Sequence, residues 1–487
     1  MKNISTLIKN KKALVSFSRL ESKIKDKDSL FAASTIFLIG TVIASLFNFL
    51  YQFWMIRSLS TSDLGVFGSL FKIVYIASFS TLAFTLTMSK FSAEYHGKGK
   101  SLFKLLVRKS LFYIIIFGLV LLGIYLLLIP QIASFLKIDS YTGLVLVGII
   151  SYLSIISALI VGALNGIQKF VWQNISVTGS ALLKFIFGIA LVYLGFGVLG
   201  AIVALLIGVL MGILVAIVPI FKSLKKTEIK QEIEEKPEKA EFSLRKVAKY
   251  FLIIFFILLI PTLMITFDQL LVKHYLTSEQ AGLYFAAQMI GSVIWFGSGF
   301  LVGPLFPKVV SSHLEGKDTS RLLFKALTYT GFLIFIGCLV YFVIQTFIVS
   351  LIYGSAYLSI VPMIGIFGVA FGLYSLIQIL LVYNIAKERY SIFWFVLIGF
   401  LIEMVGIYFF HNSIDEVIKI FFVANIFIMG SLLIYNWKEV FQSEFFKNGD
   451  SKQKETESKE IKAIEKKENI KQERDDNEKW MEQTNYQ

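Results

Sequence analysis

Long apolar runs separated by short polar turns dominate the chain. A bilayer span needs roughly 20 apolar residues. Twelve runs meet that length: 30–56, 65–89, 110–129, 143–164, 172–194, 198–220, 248–271, 281–305, 326–348, 358–383, 392–410 and 416–436. They are continuous rather than alternating, so the pattern predicts membrane helices and not the ~10-residue strands of a barrel. The predicted fold class is an all-α polytopic membrane protein with twelve transmembrane helices.

Polar residues are gathered into three blocks. Residues 1–29 hold 11 charges, 222–249 hold 15 and 438–487 hold 24, out of 80 in the whole chain. The apolar remainder has no surface fit for water, which excludes a soluble enzyme. Five segments follow: a basic N-terminal segment 1–29, a first six-helix bundle 30–221, a charged linker 222–247, a second six-helix bundle 248–437, and a charged tail 438–487. The tail mixes Lys, Glu, Gln and Asn and reads as disordered.

Lys and Arg placement sets orientation. With the N-terminus in the cytoplasm, the cytoplasmic segments hold 41 Lys and Arg residues and the outer loops three, Arg57, Lys137 and Lys273. Both termini are therefore expected inside. The net charge of +14 does not imply nucleic acid, because the basic residues flank apolar spans and form no soluble domain.

Six spans lie on either side of the linker, and the halves show internal similarity. An offset of 217 places Leu59 to Phe67 on Leu276 to Tyr284, Gln52 on Gln269 and Gly99 on Gly316. An offset of 219 places Asn165 on Asn384. An even number of spans per half makes the repeats parallel rather than inverted.

Candidate chemistry is sparse. No P-loop, nucleophile elbow or dinucleotide motif is present. The single cysteine, Cys338, and four scattered histidines suggest no metal site, and no cofactor or catalytic residue is expected. Gly297, Gly299, Gly303, Pro304, Pro261 and Pro362 fall inside apolar runs, where they mark static kinks or hinges.

Charges inside spans are costly and mark cavities or partners. Lys72, Asp268, Asn48, Gln52, Gln269 and Gln288 lie on spans 1, 2, 7 and 8, with Arg57 at the rim. Together they are candidates for one basic, substrate-binding cavity. Snorkelling is the alternative for Lys72, and an ion pair with Arg57 or Lys273 the alternative for Asp268. Lys184 and Glu403 lie about 16–18 Å into spans 5 and 11, near the midplane, again 219 residues apart. Glu403, with Gln378 and Asn425, is a coupling-ion candidate, and Lys184 is its paired buried charge. Local hydrogen bonding for helix packing is the alternative for both.

At Arg57-Ser-Leu-Ser-Thr-Ser-Asp63-Leu-Gly65-Val-Phe67 the chain resembles the polysaccharide biosynthesis (oligosaccharide flippase) family, whose loop after the first span runs Arg–Leu…acidic–x–Gly–x–aromatic. The Asn-Gly-Ile-Gln-Lys run at 165–169 and the 6+6 architecture add to the resemblance, which covers about residues 30–440. It implies membership of the multidrug/oligosaccharidyl-lipid/polysaccharide superfamily, with two six-helix bundles around a central cleft. It further implies alternating access, in the plasma (inner) membrane, for a polyprenyl-(di)phosphate-linked oligosaccharide bound for a cell-surface polysaccharide such as an O-antigen. Implied partners are that lipid-linked oligosaccharide, membrane lipids, a polysaccharide polymerase and glycosyltransferases. Arg57 and Lys72 are the only basic candidates near the first half's cleft, fewer than the family's basic cleft suggests. The alternative is a multidrug or small-solute cation-coupled antiporter of the same superfamily.

Overall fold

The computed structural model describes residues 29–228, 243–299 and 317–445, with isolated positions between 305 and 312. The N-terminal segment, most of the linker, Gly303, Pro304 and the tail beyond Phe445 lie outside the described residues. No strand occurs among the described residues. The α-helices with described bounds are α1 (Ser29–Ser58), α2 (Thr61–Lys98), α3 (Lys100–Leu127), the short α4 (Ile129–Leu136), α5 (Tyr141–Gly166), α6 (Phe170–Leu191), α7 (Gly197–Glu228), α8 (Leu244–Tyr275), α9 (Ser278–Gly299), α10 (Ser320–Ile352), α11 (Val361–Ala386), α12 (Ile392–Phe409), α13 (Ile414–Tyr435) and α14 (Trp437–Phe445).

Eleven of the twelve apolar runs fall on a long helix to within a few residues; the run 281–305 lies on α9 as far as Gly299, and residues 300–304 lie outside the described residues. Ten helical stretches among the described residues are long and apolar enough to cross a membrane. One of them, 170–221, is the α6–α7 pair, joined by a π-helical turn in which Gly195 has φ 89°. α9 is not among the ten. Leu, Ile, Val and Phe stand exposed along α3, α10 and α12, where a bilayer rather than water is the matching solvent. The protein is a multi-pass membrane protein.

The helix pairings of the first half recur in the second. α1 packs on α6, α2 on α5, α5 on α7, α6 on α7 and α3 on α5. Correspondingly, α8 packs on α12, α9 on α11, α11 on α13, α12 on α13 and α10 on α11. The turn after α5 also recurs. Gln168 (φ 58°) and Glu388 (φ 57°) are both left-handed, and Lys169 N–H donates to Leu164 O as Arg389 N–H donates to Asn384 O, each at 2.9 Å. That bond pattern places Asn165 opposite Ile385, one residue from the match the sequence offset suggests.

Halves meet mainly through α2, which packs on both α8 and α9. The end of the molecule away from residues 29 and 445 is here called distal. There the loop repeat becomes a pair of helix caps. Ser60 Oγ accepts from Asp63 N–H at 3.1 Å and donates to the Asp63 carboxylate at 2.8 Å, opening α2. Thr277 Oγ accepts from Gln280 N–H at 3.2 Å while Thr277 N–H donates to Gln280 Oε1 at 3.1 Å, opening α9. One turn further in, Gly65 and Gly282 let the two helices touch backbone to backbone.

Along one side, α2 and α8 run antiparallel and touch at several levels. Lys72 Nζ donates to Ile265 O at 2.6 Å, Phe84 stacks on Phe251 with centroids 4.1 Å apart, Lys90 Nζ lies 3.9 Å from the Tyr250 ring centre, and Glu94 pairs with Lys246 at 3.1 Å. Pro261 lies inside α8, whereas Pro362 sits in the first turn of α11. Pro362 is therefore a helix start and not a mid-span bend, since its missing N–H falls where no helical acceptor is needed.

Candidate functional site

A cavity of about 680 Å³ opens between the first half and α9 of the second. Its walls come from α1, α2, α5, α6, α7 and α9. Polar atoms enter from Ser45, Asn48, Gln52, Ser154, Ser180 and Lys184, with Tyr75 and Phe296 at the border with the second half. Helical geometry explains the grouping: Ser45, Asn48 and Gln52 recur every three or four residues on one face of α1, and Ser180 and Lys184 are one turn apart on α6. Leu46 of α1 and Phe296 of α9, both about half exposed, flank the mouth.

Among the described residues, Lys184 is the one charged residue lining this cavity. Its ammonium donates to Asn48 Oδ1 and lies 4.8 Å from the centre of the Tyr51 ring. Tyr51 itself is fully buried and donates to Ala201 O at 2.8 Å. Both partners of Lys184 are neutral.

Lys72 points elsewhere. It lines a much smaller space of about 40 Å³ with Gln52 and Gln288, and is 9% exposed. Asp268 of α8 is fully buried nearby and attracts it. The Asp268 carboxylate accepts from Tyr284 OH at 2.7 Å, Gln288 Nε2 at 2.6 Å and Gln269 N–H at 2.7 Å. Its hydrogen-bond partners are thus neither Arg57 nor Lys273. Of the cavity residues expected from sequence, Gln52, Lys72, Asp268 and Gln288 come together at the α2–α8–α9 contact. Asn48 joins the larger cavity instead. Gln269 turns to α9 and donates to Ala281 O at 3.0 Å.

Arg57 lies at neither place. Its guanidinium donates to Leu351 O and Ile352 O, 3.4 and 3.5 Å away, at the C-terminus of α10. A cation there neutralises the carbonyl-rich helix end and ties α1 to the second half. Tyr357 OH adds a bond to Ile56 O at 2.9 Å, and His274 Nδ1 donates to Phe135 O at 2.7 Å. These contacts, with the Gly65–Gly282 approach, close the distal end.

Glu403 is fully buried in the stripe Ile392, Val396, Gly399, Glu403, Ile407 that α12 turns toward the bundle. Neither carboxylate oxygen has a hydrogen-bond partner among the described residues. Its charge is felt by Asp268, Tyr284 and Tyr374, on α8, α9 and α11. Gln378 donates to Tyr374 OH at 2.9 Å, and Asn425 donates to Phe421 O at 2.8 Å while its Oδ1 stays without a partner. The Asp268–Glu403 relationship was missed in the sequence, although the signal existed. Asp268 lies 217 residues after Tyr51 and Glu403 lies 219 after Lys184, so the two repeats place a cation against a phenol in one half and two acids together in the other. Ser45, Ser154 and Ser180 were missed too, because isolated serines in apolar runs carry no pattern of their own.

Two structurally repeated halves around a cavity at membrane depth define a membrane flippase or transporter. The chain belongs to the polysaccharide biosynthesis protein family, whose family model matches residues 31–313. Its fold is similar to that of a solved structure described as lipid II flippase MurJ in an inward closed conformation, at 16% identity and TM-score 0.65, over 85% of this chain and 91% of that one. It is also similar to an inward-facing multidrug resistance MATE family transporter of the MOP superfamily, at 12% identity and TM-score 0.67, over 83% and 96%. An outward-facing MATE structure gives 14% identity and TM-score 0.54, over 86% and 97%. No curated protein sequence matches the chain.

Proposed function

We propose that this protein is a flippase. It carries a polyprenyl-(di)phosphate-linked oligosaccharide across the plasma membrane by alternating access, for a cell-surface polysaccharide. The observation that carries the reading is the cavity between the halves: sealed at the distal end, open between α1 and α9, and lined by polar groups with a lysine. Such a shape suits a cargo with a polar head and a lipid tail, because the head can occupy the cavity while the tail stays in the bilayer. Family membership supports the same cargo class.

On this reading the distal end is the outer face, both termini are cytoplasmic, and the twelve long helices all cross the membrane. Asn48 and Gln52 contact the cargo head, while Lys72, Asp268, Gln269 and Gln288 form the inter-half contact that must rearrange when the outer face opens. No catalytic residue is assigned. Glycosyltransferases supply the cargo and a polymerase consumes it.

Glu403 favours ion coupling. A buried carboxyl with no hydrogen-bond partner among the described residues, within electrostatic reach of a second acid, suits a transported proton or Na⁺. That observation also favours the second reading, a cation-coupled antiporter of small solutes. Reconstitution into liposomes separates the two. A flippase exposes a fluorescent lipid-linked oligosaccharide to a lectin added outside and leaves cationic dyes in place. Dye movement without lipid translocation would sink the flippase reading.

A further inference from the structure

We propose that Lys184 is the anion anchor of the cavity, binding the phosphate or diphosphate of the lipid-linked cargo. The inference rests on the flippase reading above and moves the role from Lys72 to a residue on α6.

Charge inventory comes first. Among the described residues, Lys184 is the only charged one lining the 680 Å³ cavity, and no carboxylate lines it. Its two contacts, the Asn48 amide oxygen and the Tyr51 ring, are neutral. An ammonium has three donors, and Asn48 takes one. A cation held at membrane depth without a counter-charge is costly, and a bound anion offsets that cost. Neutral donors stand ready beside it, because Ser45, Gln52, Ser154 and Ser180 open onto the same space. Phosphate oxygens accept from such groups as well as from the ammonium.

Competing cations are committed elsewhere. Lys72 donates to Ile265 O, is attracted by Asp268, and borders a space of about 40 Å³, too small for a diphosphate. Arg57 caps α10. The repeat also gives direction. Where the first half holds Lys184 against Tyr51, the second holds Glu403 near Asp268. Two acids repel a phosphate, so the anionic group belongs in the first half.

The test uses the full-length protein in detergent, with farnesyl diphosphate and farnesol as probes. Wild type is expected to bind the diphosphate at least tenfold tighter than the alcohol. Lys184→Gln should erase that preference, Lys184→Arg should keep most of it, and Lys72→Gln should keep it within about twofold. Asn48→Asp supplies a second variant in which Lys184 stays in place but is paired by a carboxylate. It should erase the preference as well. An undiminished preference in a folded Lys184→Gln protein, or in Asn48→Asp, overturns the assignment and leaves the flippase reading standing. A wild type that does not distinguish diphosphate from alcohol overturns both.

Discussion

Gly65 and Gly282 occupy equivalent places in the two repeats and face each other across the halves. A Cβ added to Gly65 would run into Ser278 O, and one added to Gly282 would run into Thr61 O. Thr61 and Ser278 are themselves equivalent, each four residues before its glycine. The contact is thus self-complementary, like the isologous patch of a twofold dimer folded into one chain.

Gly65→Ala should therefore disfavour distal closure. Forcing a methyl against a carbonyl costs about 1–3 kcal/mol, enough for roughly a tenfold change in the closed-to-open ratio. The check is labelling by a membrane-impermeant thiol reagent of a cysteine placed at Tyr75, in Cys338→Ser protein. Labelling from outside should rise in Gly65→Ala, with transport reduced. Unchanged labelling would mean the glycine pair is not part of the seal.

Glu403→Gln should keep the protein folded and make transport insensitive to a proton or Na⁺ gradient. The variant keeps the shape and removes the ionisable group, so thermal stability should stay close to wild type. Gradient-dependent transport at the wild-type level by Glu403→Gln would end the coupling role. Asp268→Asn provides the companion measurement, and the double variant should show non-additive effects because the two acids interact.

Lys72→Ala is expected to weaken the α2–α8 contact, not cargo affinity. Loss of a buried charged hydrogen bond to Ile265 O, and of the attraction to Asp268, should lower stability by about 1–3 kcal/mol. Thermal unfolding would register a reduced midpoint in lipid. Lower diphosphate affinity with an unchanged midpoint would contradict this division of labour.

Acid should destabilise the cluster that Glu439 forms with Arg389 and Lys387. Burial pushes its carboxyl up, but the 2.6 Å bond from Arg389 and the charges of Arg389 and Lys387 outweigh it and hold it below the ordinary range. A depressed carboxyl contributes stability that is fully present above about pH 4.3, the unfolded value, and is lost as pH falls through its folded value. Glu439→Gln should remove this part of the acid loss and leave the rest. Identical unfolding midpoints for wild type and Glu439→Gln across pH 7 to 3.5 would show that the cluster contributes nothing.

Membrane class, the apolar runs and the repeat were all legible in the sequence, because each depends on local composition or on a fixed offset. What each charged side chain faces could not be read. On α2, Lys72 stands next to Phe71 and close to Tyr75, and all three lie among apolar residues. No polar stripe says which of them turns to the seam and which to the cavity. Arg57 illustrates the same limit, since its acceptors lie almost 300 residues away. The buried hydroxyls of Tyr51 and Tyr284 looked like any other aromatic residue of the spans until the structure supplied Ala201 O and Asp268.

On the flippase reading, the opening between α1 and α9 also bears on how cargo finds the protein. A lipid diffuses in two dimensions, and among the described residues the cavity that holds Lys184 is reached from that flank. Capture there would rise with local lipid density on that side. An enzyme that releases its lipid product facing that flank would raise the transport rate without touching the cavity at all.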